Sequence, residues 1–439
     1  MSEISDSPQE KRRPQKVTVI GAGFSGLASA FFLVRAGYEV EIHDSSERVG
    51  GLISTAELPE GLAESAANGM LNSPLVEEIG HETGIQMQAV QRASRRRFIF
   101  RGGRARRWPL SLLATLHLAL FAVRYIFARA QLRPRQGETV QSWGARTLGV
   151  EASRYTIETA LQGIYAGDTT RMSASLILGR FFAHETSSVD ATLRQSKKSL
   201  IRGTVAPVGG MQKWTTGLRK YLEQRGVTFH LHEKYNANQL MNEKVKRPVV
   251  IATGAASAAE LLAIVDAKRA QYLNRIEKLS LVSTTVFFKD ALPKLAGFGC
   301  LFPPVEKRQV LGVLMNNFIF QGAVQAGVTS ETWMMGGALA PKMAGGDELS
   351  DAEVLARICE ERRACFGARS EVVNYKIHRW ANALPHYTVE LENFLPLLQP
   401  VHENVVLIGN YLGQIGLAKI LERANRLPAM LAADGHWTE

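Results

Sequence analysis

The sequence predicts an α/β chain, α+β overall, built around a dinucleotide-binding unit assembled from separated segments. Three observations carry this. Val17-Thr18-Val19-Ile20 runs into Gly21-Ala22-Gly23-Phe24-Ser25-Gly26 and an apolar helix. A second apolar run, from Val249, ends mid-chain in Ala252-Thr253-Gly254. A third, Val405-Val406-Leu407-Ile408, passes into Gly409-Asn410 and a closing helix. With 439 residues, two or three subdomains are expected rather than one core.

The opening unit follows from local chemistry. Val17 to Ile20 is the β-branched run of a buried parallel strand. Gly21 permits the tight turn, Gly23 lets backbone approach a pyrophosphate, and Gly26 lets the helix pack on the strand. The helix, about Phe24 to Ala36, offers free N–H groups and a partial positive charge at its start, and Gly37 caps its end. The strand Glu39 to His43 then delivers Asp44, an acid placed to accept from ribose hydroxyls and to disfavour a 2′-phosphate. FAD or NAD is therefore expected over NADP.

Ser73-Pro74 opens a capped helix to Gly84, and Arg97–Arg101 with Arg104–Trp108 reads as a hairpin about Gly102-Gly103. Thr139–Leu148, Ala152–Gly163 and Leu176–Phe182 read as helical. Val208-Gly209-Gly210-Met211 precedes an amphipathic helix, Trp214–Arg225, and Val227–Leu231 is a strand. Strands alternate with turns from Leu281 to about Trp380, apart from a helix near Asp351–Phe366; a last helix is expected from Gly416 to about Ala433. There are no internal repeats.

Charge is uneven. The net charge is +11, yet twelve arginines and no acid lie between Thr83 and Gly137, leaving 40 basic against 41 acidic residues elsewhere. Inside that stretch, Trp108 to Val123 carries no formal charge. It is too short to span a bilayer, which needs about twenty apolar residues. Arginines on both flanks favour a helix lying in an anionic membrane interface. A core helix with an arginine rim is the alternative; nucleic acid ranks last, since no nucleic-acid fold accompanies the arginines. Cys300, Cys359 and Cys365 show no metal spacing and read as buried apolar residues of a reducing compartment. Residues 1–16 read as a disordered tail without a signal peptide. No metal site is expected.

Arg48-Val49-Gly50-Gly51 resembles the FAD-binding segment of the flavin amine oxidase superfamily. From about Val17 to Ala433 the chain is similar to the oxygen-dependent protoporphyrinogen oxidase family and its coproporphyrinogen-oxidising relatives. Its most specific stretch is Gly163-Ile164-Tyr165-Ala166-Gly167-Asp168 with Met172-Ser173; Val208–Gln212, Arg379-Trp380, Pro385-His386-Tyr387 and Gly409-Asn410-Tyr411 add to it. The resemblance implies a Rossmann-like FAD-binding domain (17–75, 205–258, 396–439), a mixed-sheet substrate domain (76–100, 259–395) and an α-helical membrane-associating subdomain (101–204). It implies that Gly21, Ala22, Gly23, Phe24, Ser25, Gly26, Asp44, Arg48, Gly50 and Gly51 hold FAD. Ala67 and Asn68 then lie near the flavin ring, the backbone of Tyr235 meets adenine, and Trp380 packs near the isoalloxazine. Ile415, Gly416 and Leu417 reach its pyrimidine end.

The implied reaction is oxidation of a porphyrinogen, protoporphyrinogen IX or coproporphyrinogen III, to the porphyrin in haem biosynthesis, with O2 reduced to H2O2. Asn68, Met315, Leu314, Phe318 and Phe320 are candidates for the substrate slot; no essential acid or base is assigned, and the ten histidines are read as structural. The expected partners are the porphyrinogen, O2 and an anionic membrane surface, with no nucleic acid; a homodimer is compatible, and the expected location is cytoplasmic, peripheral on the membrane. Departures are Leu52-Ile53-Ser54, where the family often has an arginine for substrate carboxylates, Ser65-Ala66-Ala67-Asn68, Gln414 and Lys419. They leave open another FAD oxidoreductase of the superfamily, such as an amine oxidase or polyene desaturase, or a non-catalytic flavin- or porphyrin-binding membrane protein.

Overall fold

The computed structural model describes residues 15–182, 201–290, 292–340, 349–369, 371–399, 404–413 and 415–433. Most of the expected tail and Gln414 lie outside these residues, and the first strand already begins at Lys16.

Five parallel strands form the central sheet, in the spatial order Thr228–His230, Glu39–His43, Lys16–Ile20, Val249–Ile251, Val405–Leu407. Alternate residues face opposite sides, so both faces are apolar. Val17, Val19, Ile42, Val250 and Val406 pack under the helices Phe24–Arg35, Gln212–Glu223 and Leu417–Ala424. Ile20, Val249, Ile251 and Leu407 belong to a second core on the other face. The helix Pro74–Thr83, capped by Ser73 and ended by Gly84 at φ 70°, sends Val76 and Ile79 into the first core. The closing helix is two, Leu417–Ala424 and Leu427–Ala433, because Pro428 has no N–H with which to continue the first.

A seven-stranded mixed sheet forms the second layer, in the order Val372–Pro385, Lys278–Phe288, Thr329–Gly336, Gly312–Met315, Gly299–Leu301, Arg97–Arg101, Arg104–Arg106. Helix Asp351–Phe366 begins in a Ser350/Glu353 capping box and covers one face. Beneath it the fully buried Arg362 bonds Glu331 at 2.9 Å and Asp290 at 2.7 Å. Burial pushes the Glu331 carboxyl up to about 7, against the attraction of Arg362.

The segment expected as one helix from Ala152 is broken into Val150–Ser153, a π-turn Arg154–Glu158 and Thr159–Tyr165. Side chains compete there for the backbone: the Thr159 hydroxyl donates to the Arg154 carbonyl at 2.6 Å. The apolar run forms the helix Leu112–Phe127, capped by Ser111. Only Ala114 of it is buried. Leu118, Phe121 and Tyr125 rest on Trp143 and Phe182. Leu112, Leu116, Leu120, Val123 and Phe127 form an outward stripe, from 52% exposed at Val123 to 87% at Leu112. The core-helix alternative does not describe such a stripe. Among the described residues, no helix is long and apolar enough to cross a membrane.

Candidate functional site

The first glycine turn leaves the central sheet at the carboxyl ends of its strands, where open parallel sheets bind ligands. Gly21 has φ +106°, and a Cβ there would sit 2.9 Å from the Ala252 carbonyl oxygen. A Cβ on Gly26 would lie 1.8 Å from the Gly21 carbonyl oxygen, so helix and turn meet only because Gly26 lacks a side chain. Gly23 bridges to Gly50, and a Cβ on Gly51 would lie 3.2 Å from the Gly23 Cα. The two glycine segments thus face each other as a backbone cradle. Asp44 is held at the strand end: Ala22 N–H donates to Oδ2 at 2.6 Å and Ser46 N–H to Oδ1 at 2.8 Å. Phe24 is buried and stacks on Trp214, while the Ser25 carbonyl accepts from Ser29. Arg48 turns back on its own loop and donates to the carbonyls of Val49, Ile53 and Gly51. Its visible task is to fix the Gly50-Gly51 loop.

Beside this cradle is a cavity of about 270 Å³ lined by Gly21, His43, Asp44, Tyr235, Thr253 and Ser257. Tyr235 is buried and meets His43 edge-on, ring centroids 5.0 Å apart; burial pushes its hydroxyl up to about 12. His43 stacks on His230 at 4.4 Å with planes 10° apart. Burial, then the charge of His230, holds His43 below the ordinary histidine value, against Glu233 and Glu41. Glu41, His43 and His230 place ligand-type atoms within 4.8 Å of one another. Imidazole lone pairs lie in the ring plane, and one ion cannot lie in two parallel, stacked planes. Lys16 and Arg247 also occupy Glu41 already. Of the three, His43 lines the cavity, and the stacked rings and the paired Glu41 do not make a metal centre. Cradle, acid and cavity together fit the pyrophosphate, ribose and adenine of FAD.

At the other end of the site, Trp380 donates its indole N–H to the Ser65 carbonyl at 2.7 Å and stacks on His378. Burial, then Lys376 and Arg48, hold His378 below its ordinary value. Ala67 packs against the first core, and Asn68 lines a second, narrow cavity of about 30 Å³ with Glu64, Gln88, Asn316 and Phe320. Gly416 caps the helix whose first residue is Leu417; Leu417 packs on the first core and Ile415 on the second.

Met315 is a correction. It is 2% exposed among Val286, Cys300, Phe302 and Trp333, on the side of the sheet covered by helix Asp351–Phe366. Leu314 points the other way, because neighbours on a strand face opposite sides, so the two cannot share one slot. Phe318 packs against the same core cluster as Met315, and Phe320 alone of the four apolar candidates lines the cavity.

The Gly163–Asp168 stretch is a junction. Asp168 N–H donates to His386 Nε2 at 3.1 Å, His386 Nδ1 lies 3.3 Å from Glu277, and Arg171 pairs with Glu277 at 2.6 Å. Next in the chain, the Tyr387 hydroxyl donates to the Asn410 carbonyl. These bonds tie the helical segment to the larger sheet and to the closing strand of the central one.

Glu64 escaped sequence reasoning. Its partners Thr55 and Met211 lie 9 and 147 residues away, so no local spacing announces it. Thr55 donates to Oε2 at 2.8 Å and Met211 N–H to Oε1 at 2.9 Å. Burial nevertheless pushes its carboxyl up to about 7, against both hydrogen bonds.

Comparison with known proteins matches residues 24–418 to the family of flavin containing amine oxidoreductases. The chain is 26% identical to protoporphyrinogen oxidase of Homo sapiens, over 85% of this chain and 88% of that protein. It is 22% identical to protoporphyrinogen oxidase 2, chloroplastic/mitochondrial, of Arabidopsis thaliana, over 95% and 93%. Cyclohexylamine oxidase from Brevibacterium oxydans shares its fold, with a TM-score of 0.65 at 15% identity over 94% of this chain and all of that one.

Proposed function

The chain belongs to the flavin containing amine oxidoreductase family, and from that premise we propose that it oxidises a porphyrinogen to the porphyrin, with FAD taking the electrons and O2 reoxidising it to H2O2. Likeness to proteins named protoporphyrinogen oxidase over 85% of the chain carries this reading. FAD supplies the hydride acceptor. The protein's residues position it: Asp44 receives the ribose, the Gly23 and Gly51 backbones flank the pyrophosphate, and Tyr235 and His43 wall in the adenine. The Trp380–Ser65 bond fixes the segment bearing Ala67 and Asn68 beside the ring. The outward stripe of Leu112–Phe127, with arginines on both sides, docks the protein on an anionic membrane surface, where an apolar porphyrinogen is within reach.

A second reading has its own support. The wall of the narrow cavity holds Glu64, Asn68, Gln88 and Asn316 and no basic side chain, which suits an amine better than a propionate. The deciding experiment supplies the FAD-loaded protein with protoporphyrinogen IX, coproporphyrinogen III or a panel of amines. Porphyrin fluorescence rising with oxygen consumption is the expected result. Fluorescence no faster than autoxidation, with peroxide released from an amine, replaces the first reading by the second.

A further inference from the structure

Oxidation by two electrons parts a hydride from a proton, and none of the residues assigned above receives the proton. Glu64 is built to do so. It is 9% exposed and is the one titratable side chain on the wall of the narrow cavity; the other polar lining residues are the amides Asn68, Gln88 and Asn316. It lies one residue from Ser65, which anchors Trp380, and three from Ala67.

The hydrogen bonds decide what this carboxylate can do. A carboxylate has about four lone-pair sites. Met211 N–H takes one on Oε1 and the Thr55 hydroxyl one on Oε2. The Thr55 hydroxyl hydrogen is committed to Glu64, since its oxygen already accepts from Gln212 N–H at 3.0 Å. One site on each oxygen is left over, and Glu64 can gain or lose a proton there without breaking either bond. Among the described residues no lysine or arginine forms an ion pair with it, so no opposite charge pins it in the charged form. The cavity, about 30 Å³, has room for a water or two.

We infer that Glu64 is the proton-holding residue of this site: it takes up the proton that leaves the substrate with each electron pair and releases it when the acceptor is reduced. The inference rests on the two-electron oxidation proposed above. The balance for one turn is simple. The substrate loses a hydride to the cofactor and a proton, from a pyrrole N–H in a porphyrinogen, to the Glu64 carboxylate, which becomes a carboxylic acid. O2 then takes the electron pair, the transferred hydrogen and the Glu64 proton, giving H2O2 and restoring the carboxylate. Glu64 acts through water rather than by touching the substrate, so it is a positioning residue for the proton.

Infrared difference spectroscopy on the FAD-loaded full chain tests this without any substrate, by reducing the cofactor photochemically near pH 7. The wild type should show a change in a protonated-carboxyl carbonyl band, and Glu64→Gln should lack it. A wild-type spectrum with no such change overturns the inference whatever the variant does. With a turnover assay in hand, Glu64→Gln should keep its FAD and lose about 100-fold in rate, the lower end for a positioned proton acceptor. Glu64→Asp should recover part of the loss and shift the pH profile. A Glu64→Gln enzyme that turns over at the wild-type rate overturns the role. Failure of the wild type to oxidise a porphyrinogen defeats the proposed substrate and leaves the infrared result to judge Glu64.

Discussion

A single carboxyl shows how far local chemistry can run against the sequence. Glu64 is an ordinary acid on a short strand until the fold closes Thr55, Gly210 and Met211 around it. Burial pushes its carboxyl up to about 7 in the folded chain, from the ordinary glutamate value of about 4.3 in the unfolded one. A carboxyl raised by folding holds its proton more tightly in the native state. Its stabilising effect is therefore complete below about 4.3 and lost as pH rises through about 7. Chemical unfolding of wild type and Glu64→Gln should show the wild type losing ground by about 1.4 kcal/mol per pH unit across that window; parallel stability curves would remove the raised carboxyl. The glycines and Asp44 were legible because each answers a neighbour: Gly26 answers Gly21 and Asp44 answers Ala22. Glu64, His378 and the His43–His230 pair were not, because their environments come from strands far apart in the chain.

Elements were legible where caps and periodicity agreed. Ser73-Pro74 with Gly84 bound their helix as expected, and the helix expected near Asp351–Phe366 spans those residues. Elements interrupted by side chains bonding to their own backbone were not, such as the π-turn at Arg154–Glu158. The direction in which helix Leu112–Phe127 turns its leucines could not be read either, since an apolar stripe looks the same whether a core or a lipid will cover it. Leu116 and Leu120 are 65% and 55% exposed, so replacing both with glutamate should leave the melting temperature unchanged. The double variant should bind anionic vesicles about 100-fold more weakly, since two leucines withdrawn from lipid cost roughly 3 kcal/mol or more. Flotation with anionic liposomes reads this out; undiminished flotation would sink the membrane reading. High salt should weaken wild-type binding, as expected of the arginines beside the helix.

At the scale of the molecule, the order strand–glycine turn–helix at both ends of the chain was enough to foresee a central sheet made of separated pieces. The order of strands in the larger sheet was not, because Arg97–Arg101 joins Gly299–Leu301 from 200 residues away. The central sheet is interleaved with the larger one along the sequence, and the His386 junction ties the helical segment to both. The chain should therefore melt in one transition. FAD at 100 times its dissociation constant should raise the whole transition by about 2.7 kcal/mol. Calorimetry that resolves two transitions, only one of them responsive to FAD, would show that the layers unfold separately. The interleaving also sets a timetable. A ribosome releases the glycine turn early, yet Val249–Ile251 and then the edge strand Val405–Leu407 emerge much later. A nascent chain consequently carries the glycine turn long before it has the sheet to support it. Cofactor capture belongs to the finished polypeptide, and a chain cut short of its last strand would reach the cell as flavin-free material for the proteases.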